Sequence, residues 1–225
     1  MTRAAVALSW SGGKDSALAL QRLRASTEYE VTALLTSVTR EYDRISIHGV
    51  RRSLLEEQAA ALVLPLFEVA LEPKSSDDAY QRAFRAALDE LAASQPAVHS
   101  IAFGDLYLRD VRAYRDNLLA DTAFRGLYPL WERPTRELAE SFIADGFVAT
   151  LVCVDGTQID PSFAGRRFDR ALLADLPPTA DPCGENGEFH TFVHDGPIYA
   201  RPIGVVTGEI VLREERFTYC DLLPA

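Results

Sequence analysis

Apolar and polar positions along this chain follow two rhythms that take turns. Ala4-Ala5-Val6-Ala7-Leu8 is an unbroken apolar run, as in a strand buried on both faces. A helical stretch follows from Ala17 to Arg24. Val31 to Thr39, rich in Val, Thr and Leu, reads as a second strand. Ser53 to Leu62 reads as a helix, with Leu54, Leu55, Gln58 and Leu62 spaced for one face, and Pro65 closes it. Leu66 to Leu71 is a third strand. Asp77 to Ala93 is a long helix capped by Ser76 or Asp77, with Tyr80, Phe84, Leu88 and Leu91 on one side. Val98 to Phe103 is a fourth strand, and Asp110 to Asp121 another helix. Strands alternating with helices predict an α/β fold with a parallel sheet covered on both faces. Ligands of such sheets sit at the carboxyl ends of the strands.

The pattern changes after Gly126. Leu127 to Trp131 is a short apolar run; Pro134 opens a helix to about Asp145, and Gly146 ends it. Phe147 to Val154 is a strong strand, 156–165 a loop, and Arg166 to Ala174 helical, broken at Leu176-Pro177-Pro178. From Phe189 onward β signals dominate, at Thr191 to Val193, Ile198 to Arg201 and Val205 to Leu212. Residues 1–126 therefore read as a nucleotide-binding domain and 127–225 as a smaller α/β domain. No Ser-, Gly- or Pro-rich linker separates them, so the halves are expected to pack tightly.

Composition narrows the function classes. With 48% hydrophobic and 25% charged residues in 225, the chain is globular and long enough for a real core. No apolar stretch reaches membrane-spanning length, and the N-terminal run is too short for a signal peptide, so a cytoplasmic protein is expected. The net charge of −10 gives none of the basic footprint with which proteins grip nucleic acid, which weighs against a nucleic-acid partner. Cys153, Cys183 and Cys220 form no C-x-x-C pair, so neither a disulfide framework nor a zinc site is indicated. Lysine occurs only at Lys14 and Lys74, which singles out Lys14.

Lys14 lies in Ser9-Trp10-Ser11-Gly12-Gly13-Lys14-Asp15-Ser16, between the first strand and its helix. Glycines there let backbone N–H groups approach an anion, and the helix start adds unpaired donors and positive dipole. The segment is not a Walker A loop, because Leu8 stands where the first glycine belongs and Asp15 where Ser or Thr should follow the lysine. It resembles the pyrophosphatase loop, Ser-Gly-Gly-x-Asp-Ser, of enzymes that cut ATP between its α and β phosphates. Helix-terminus donors contribute about 0.3–1 kcal/mol per charge contact, too little for a triphosphate. Lys14 and a magnesium ion are the expected supplements. Asp15 is a metal-side ligand or a brace for the loop; the Ser11 and Ser16 hydroxyls donate to phosphate or cap the helix.

Three further positions fall at the same ends of the strands. Gly104-Asp105 follows the fourth strand, where the carboxylate can bond the ribose, hold magnesium or simply form a turn. His48 lies beyond the second strand, towards the adenine, and Arg112 begins the next helix. Late in the chain, Asp181-Pro182-Cys183-Gly184-Glu185-Asn186-Gly187-Glu188-Phe189-His190-Thr191 sets two carboxylates and an amide among glycines that rule against a helix. Glu185 and Glu188 can hold an ammonium ion, deprotonate it or orient an amine. Glu188, His190 and His194 lack the H-E-x-x-H spacing of a metal site, and Cys183 has no evident base partner. Trp131 suits the core or a stacking contact with substrate, and Arg166 a helix entry.

Together these motifs resemble the diphthine–ammonia ligase family, adenine nucleotide alpha hydrolase-like ATP-binding proteins. The matching residues are Ser11-Gly12-Gly13-Lys14-Asp15-Ser16, Phe103-Gly104-Asp105, Pro129-Leu130-Trp131 and Gly184-Glu185-Asn186-Gly187-Glu188, spread over nearly the whole chain in the family's order. The resemblance implies a Rossmann-like first domain and use of ATP and Mg2+. It implies a reaction in which a carboxylate becomes an acyl-adenylate, pyrophosphate leaves, and ammonia displaces AMP to give an amide. The family's substrate is diphthine, a modified histidine of a translation elongation factor. Position at the strand ends and the matching motifs together assign Ser9, Ser11, Gly12, Gly13, Lys14, Asp15, Ser16, His48, Gly104 and Asp105 to the nucleotide. Arg112, Trp131, Gly184, Asn186, Gly187 and His190 are assigned to the acyl substrate, and Lys14, Asp15, Glu185 and Glu188 to catalysis. Asn186-Gly187-Glu188-Phe189-His190 departs from the Gly-Gly-Glu-Tyr of archaeal and eukaryotic ligases and resembles a bacterial branch, which leaves the acyl substrate open. Two other readings of the same loop are tRNA thiolation and a nucleotide sensor without turnover. A homodimer is left open.

Overall fold

The computed structural model describes residues 2–46 and 48–225. Its first half is a mostly parallel sheet built from β1 (Ala4–Ser9), β2 (Tyr29–Thr39), β4 (Leu66–Leu71), β5 (Ser100–Ala102) and β6 (Arg125–Leu127). The parallel strands lie in the order β4-β2-β1-β5-β6, and β3 (Arg44–Ile45) adds a short antiparallel pair to the end of β2. The chain order reverses between β1 and β5. That reversal opens a crevice at their carboxyl ends, where open α/β sheets bind ligands.

Alternation along β1 divides the core. Val6, Leu8 and Trp10 face α1 (Lys14–Ala25) and α2 (Arg52–Leu62). Ala5 and Ala7 face α3 (Asp77–Ser94) and α4 (Arg109–Leu119), with Phe67, Phe84, Phe103 and Leu118. The small side chains of β1 allow helices to close on both faces of a central strand. The Ser76 hydroxyl accepts the Ala79 N–H at the start of α3, as its cap position predicts.

The second half adds α5 (Thr135–Ala144), a short α6 (Arg170–Asp175) and an antiparallel sheet of β7 (Val148–Asp155), β8 (Phe189–Asp195), β9 (Val205–Arg213) and β10 (Phe217–Pro224), ordered β8-β7-β10-β9. Its apolar face shares one cluster with α1 and α2: Phe142, Phe168, Phe189 and Phe192 pack with Leu18, Leu20 and Leu54. Among the described residues no helix is long and apolar enough to cross a membrane.

Two segments differ from the sequence reading. Residues 166–168 are extended rather than helical. Phe168 N donates to Ala149 O at 2.8 Å and Arg167 bridges Thr150, so β7 recruits them before Asp169 caps α6. Ile198 to Arg201 is a loop, not a strand, because its backbone bonds to the first half: Ala200 N donates to Ala61 O, and Arg24 donates to Ile198 O.

Candidate active site

The crevice begins where β1 ends at Ser9. Trp10 N–H still bonds Leu35 O across to β2, and then the chain turns through Gly12, whose φ of +76° suits glycine. A Cβ on Gly12 would stand 2.7 Å from Gln58 Oε1, so the loop is also pressed against α2. Gln58 is fully buried and joins four groups. Its Oε1 accepts the Trp10 indole N–H at 2.9 Å; the two hydrogens of its Nε2 are shared among Gly12 O at 3.0 Å, Val193 O at 2.6 Å and the Tyr199 hydroxyl at 3.2 Å. An indole N–H can only donate and carbonyls can only accept, so this environment fixes the amide's orientation. Sequence reasoning placed Gln58 on the apolar face of its helix. The one signal of a further role was a polar residue among leucines at buried spacing.

Strand β8 closes the other side of the loop. Val193 N donates to Gly12 O at 2.9 Å, and Thr191 Oγ1 accepts the Lys14 N–H at 3.0 Å. Gly13 N–H turns to Ser11 Oγ, and Ser16 Oγ donates to Gly13 O. The N–H groups of Ser11, Gly12 and Ser16 make no hydrogen bond among the described residues, while the Asp15 N–H turns to its own carboxylate. These three amides at a helix start form an anion cradle.

Lys14 does not point into that cradle. Its side chain is 3% exposed, with Nζ 2.8 Å from Asp15 Oδ2 and 5.5 Å and 5.9 Å from the ring centres of Phe189 and Phe168. As the first residue of α1 it leans back towards the second sheet, where aromatic faces accept a cation. Burial opposes its charge; Asp15, Cys183 and Glu185 outweigh burial and hold its pKa above the ordinary lysine value. Burial raises the Asp15 carboxyl, against the pull of Lys14.

Asp15 Oδ1 is buried without a hydrogen-bond partner, and so is Asp105 Oδ2. Burial raises the Asp105 pKa, Arg115 draws it down, and the Asp15 charge raises it further, so the two carboxylates share one electrostatic environment. Arg115 Nε lies 3.7 Å from Asp105 Oδ2, beyond hydrogen-bond reach, and is itself unpartnered. Nothing in the residue pattern singled out Arg115, which sits among exposed helix charges. Gly104 lets this corner approach α1: a Cβ there would meet Asp15 O and Ser16 N at 3.1 Å.

The late loop arrives over the same corner. Glu185 Oε1 accepts Leu106 N–H at 2.8 Å and Tyr107 N–H at 3.4 Å, just past β5. Burial pushes the Glu185 carboxyl up to about 7, with Asp15 adding and Lys14 opposing. Asn186 Oδ1 accepts the Tyr107 hydroxyl at 2.9 Å, a second tie between the halves. Glu188 is 2% exposed and both of its oxygens serve the loop: Oε1 accepts from Asp181 N and Asn186 Nδ2, and Oε2 from Asn186 N. Gly184 and Gly187 take φ of +68° and +85°, the conformation the loop turns on. Cys183 is buried, its thiol donating to Thr135 O at 3.2 Å, and burial raises its pKa.

His48 and His190 meet across the halves with ring centres 4.5 Å apart. Burial first, then each neighbouring positive charge, lowers both pKa values, His190 to about 4, so both rings are neutral at pH 7. On the outer rim the Arg112 guanidinium lies between Tyr128 and Trp131, 4.5 Å and 4.6 Å from their ring centres. The sequence residues therefore gather in two places: 11–16, 48, 104–105, 185 and 190 around the crevice, and Arg112 with Trp131 at its edge.

A Rossmann-like sheet with an amide cradle at its switch point, roofed by a carboxylate loop from a second sheet, defines a nucleotide-binding α/β protein of the pyrophosphatase-loop type. The chain belongs to the diphthamide synthase family: the family's N-terminal domain matches residues 3–125 and its C-terminal domain residues 134–222. A diphthine–ammonia ligase of Bos taurus is 25% identical over 92% of this chain and 84% of its own length. The Homo sapiens ligase is 25% identical over 92% of this chain and 85% of its own. The Schizosaccharomyces pombe ligase is 23% identical, and the match covers 36% of that longer protein.

Proposed function

We propose that this chain is an ATP-dependent carbon–nitrogen ligase that converts a carboxylate to an amide through an acyl-adenylate. The observation that carries this reading is the meeting of Glu185 with the backbone of Leu106 and Tyr107. It sets a titratable carboxylate of the late loop beside the loop built to hold phosphates. The carboxylate of diphthine, which gives the relatives their name, is the acyl substrate to test first, with ammonia as the nitrogen donor. Residues 1–126 hold the nucleotide, and 127–225 supply the ammonia and acyl side.

The substrate carboxylate oxygen attacks the α phosphorus of ATP, and the bond to the β-phosphate oxygen breaks. The amides of Ser11, Gly12 and Ser16 receive the departing pyrophosphate, donors already placed where charge develops. Asp15 Oδ1 and Asp105 Oδ2, both buried without a hydrogen-bond partner, would hold a magnesium ion, which would neutralise phosphate oxygens. Glu185, with a pKa near 7, takes a proton from ammonium. The ammonia nitrogen then attacks the acyl carbon and sheds a proton to solvent, the acyl–oxygen bond breaks, and AMP leaves with the bonding electrons.

Lys14 acts on this crevice through Asp15 and Glu185 rather than by touching phosphate. Glu188 shapes the loop that carries Glu185 and Asn186. The neutral rings of His48 and His190, tilted 41° to each other, offer ring surfaces to adenine. Arg112, held rigid by Tyr128 and Trp131, offers its guanidinium to the acyl partner. The net charge of −10 and the lack of paired cysteines disfavour tRNA thiolation. The roofing carboxylate disfavours a sensor without turnover.

The test is isotopic. A substrate labelled with 18O in its carboxylate, with ATP and ammonium, should pass one labelled oxygen to AMP. Label appearing in inorganic phosphate, with ADP as product, would refute the adenylate.

A further inference from the structure

Six large apolar side chains stand exposed among the described residues, and four of them, Val206, Ile210, Leu212 and Leu223, lie on β9 and β10. On β9 itself Val206, Ile210 and Leu212 are 51%, 54% and 58% exposed. β9 is the last strand of its sheet, nine residues long, and its outer edge pairs with no strand among the described residues. The opposite edge strand, β8, is covered: Val193 N bonds Gly12 O and Ile203 N bonds His194 O. β9 carries neither proline nor lysine, the residues that blunt a free edge.

We propose that β9 pairs antiparallel with β9 of a second copy about a two-fold axis at Val211, joining two four-stranded sheets into one of eight. The segment Glu209-Ile210-Val211-Leu212-Arg213 is self-complementary about its centre. With Val211 opposite itself, Ile210 faces Leu212 twice on one side of the sheet, and Glu209 faces Arg213 twice on the other. Centring on Glu209 sets that carboxylate against its own copy. Centring on Leu212 sets Ile210 against Glu214 and Glu209 against Glu215. Charge and apolar matching thus favour the register centred on Val211 over these two, and only that centre brings Glu209 opposite Arg213. This inference is independent of the reaction proposed for the crevice.

Light scattering on the eluting full chain, from low to high micromolar concentration, tests it. The wild type is expected as a dimer. Glu209→Arg or Arg213→Glu alone sets like charges opposite twice and should weaken the dimer about tenfold or more. The double reversal should restore it, which happens only if 209 and 213 face each other across copies. Ile210→Lys should also give monomers. Unchanged melting curves would show that these exposed variants fold. A monomeric wild type, a dimer indifferent to the single reversals, or a double reversal no tighter than either single would overturn the proposal.

Discussion

Replacing Gln58 by leucine tests how the glycine loop is held. Leucine fits the volume of the amide, so the change removes hydrogen bonds more than packing. Trp10 Nε1–H loses its acceptor and stays buried. Gly12 O keeps Val193 N–H, and Val193 O keeps the Tyr199 hydroxyl at 3.2 Å, so each carbonyl loses one bond of two. An orphaned buried donor costs about 1–3 kcal/mol and each lost neutral bond about 0.5–1.5 kcal/mol. Leucine's own burial offsets part of this, leaving a loss of about 2–4 kcal/mol. For a chain of this size that is a fall in Tm of roughly 5–15 °C. Urea unfolding should show a lower midpoint with the same slope, since the surface exposed on unfolding hardly changes. ATP affinity should fall as well, because Gly12 would no longer be pinned. A loss below about 1 kcal/mol with ATP affinity intact would show that β8 and the glycine turn hold the loop without Gln58.

Glu185→Gln should flatten the pH dependence of stability. The folded pKa of Glu185 is raised to about 7 from an ordinary 4.5, so the native state binds the extra proton between those values. Its contribution is full below pH 4.5 and is lost as pH rises through 7. Melting temperatures of wild type and variant from pH 4 to 8 check this, and a steeper slope in the variant would contradict it. The same variant should remove the rise in amidation rate near pH 7. Asp15→Ala should abolish ATP-dependent turnover and the response to magnesium, and full activity would take that residue out of the mechanism. Glu188→Gln should leave ATP affinity close to wild type while amide formation falls, since the change disturbs only the late loop. Equal loss of nucleotide affinity, measured by calorimetry, would place Glu188 at the nucleotide instead.

The first half of the fold was legible because its elements are local. Apolar runs at β1, β2 and β4 and the capped periodicity of α3 depend on neighbours in sequence, and they appear where the patterns put them. The glycine loop was legible for the same reason: Gly12 needs a positive φ, and the chain then starts a helix. The β9–β10 hairpin was harder. Its turn, Glu214-Glu215, takes positive φ without the glycine or asparagine that marks such turns.

What residue order alone determined was the parallel sheet, the glycine turn after its first strand and the residue types brought to that corner. Only tertiary packing decided which way those side chains face. Lys14 turns to Phe168 and Phe189, Glu188 spends its oxygens on its own loop, and Gln58 becomes the anchor of Gly12. Each of these contacts joins residues far apart in the chain. Local periodicity carries no information about such partners, because burial and hydrogen-bond satisfaction are settled only when the two halves close on each other.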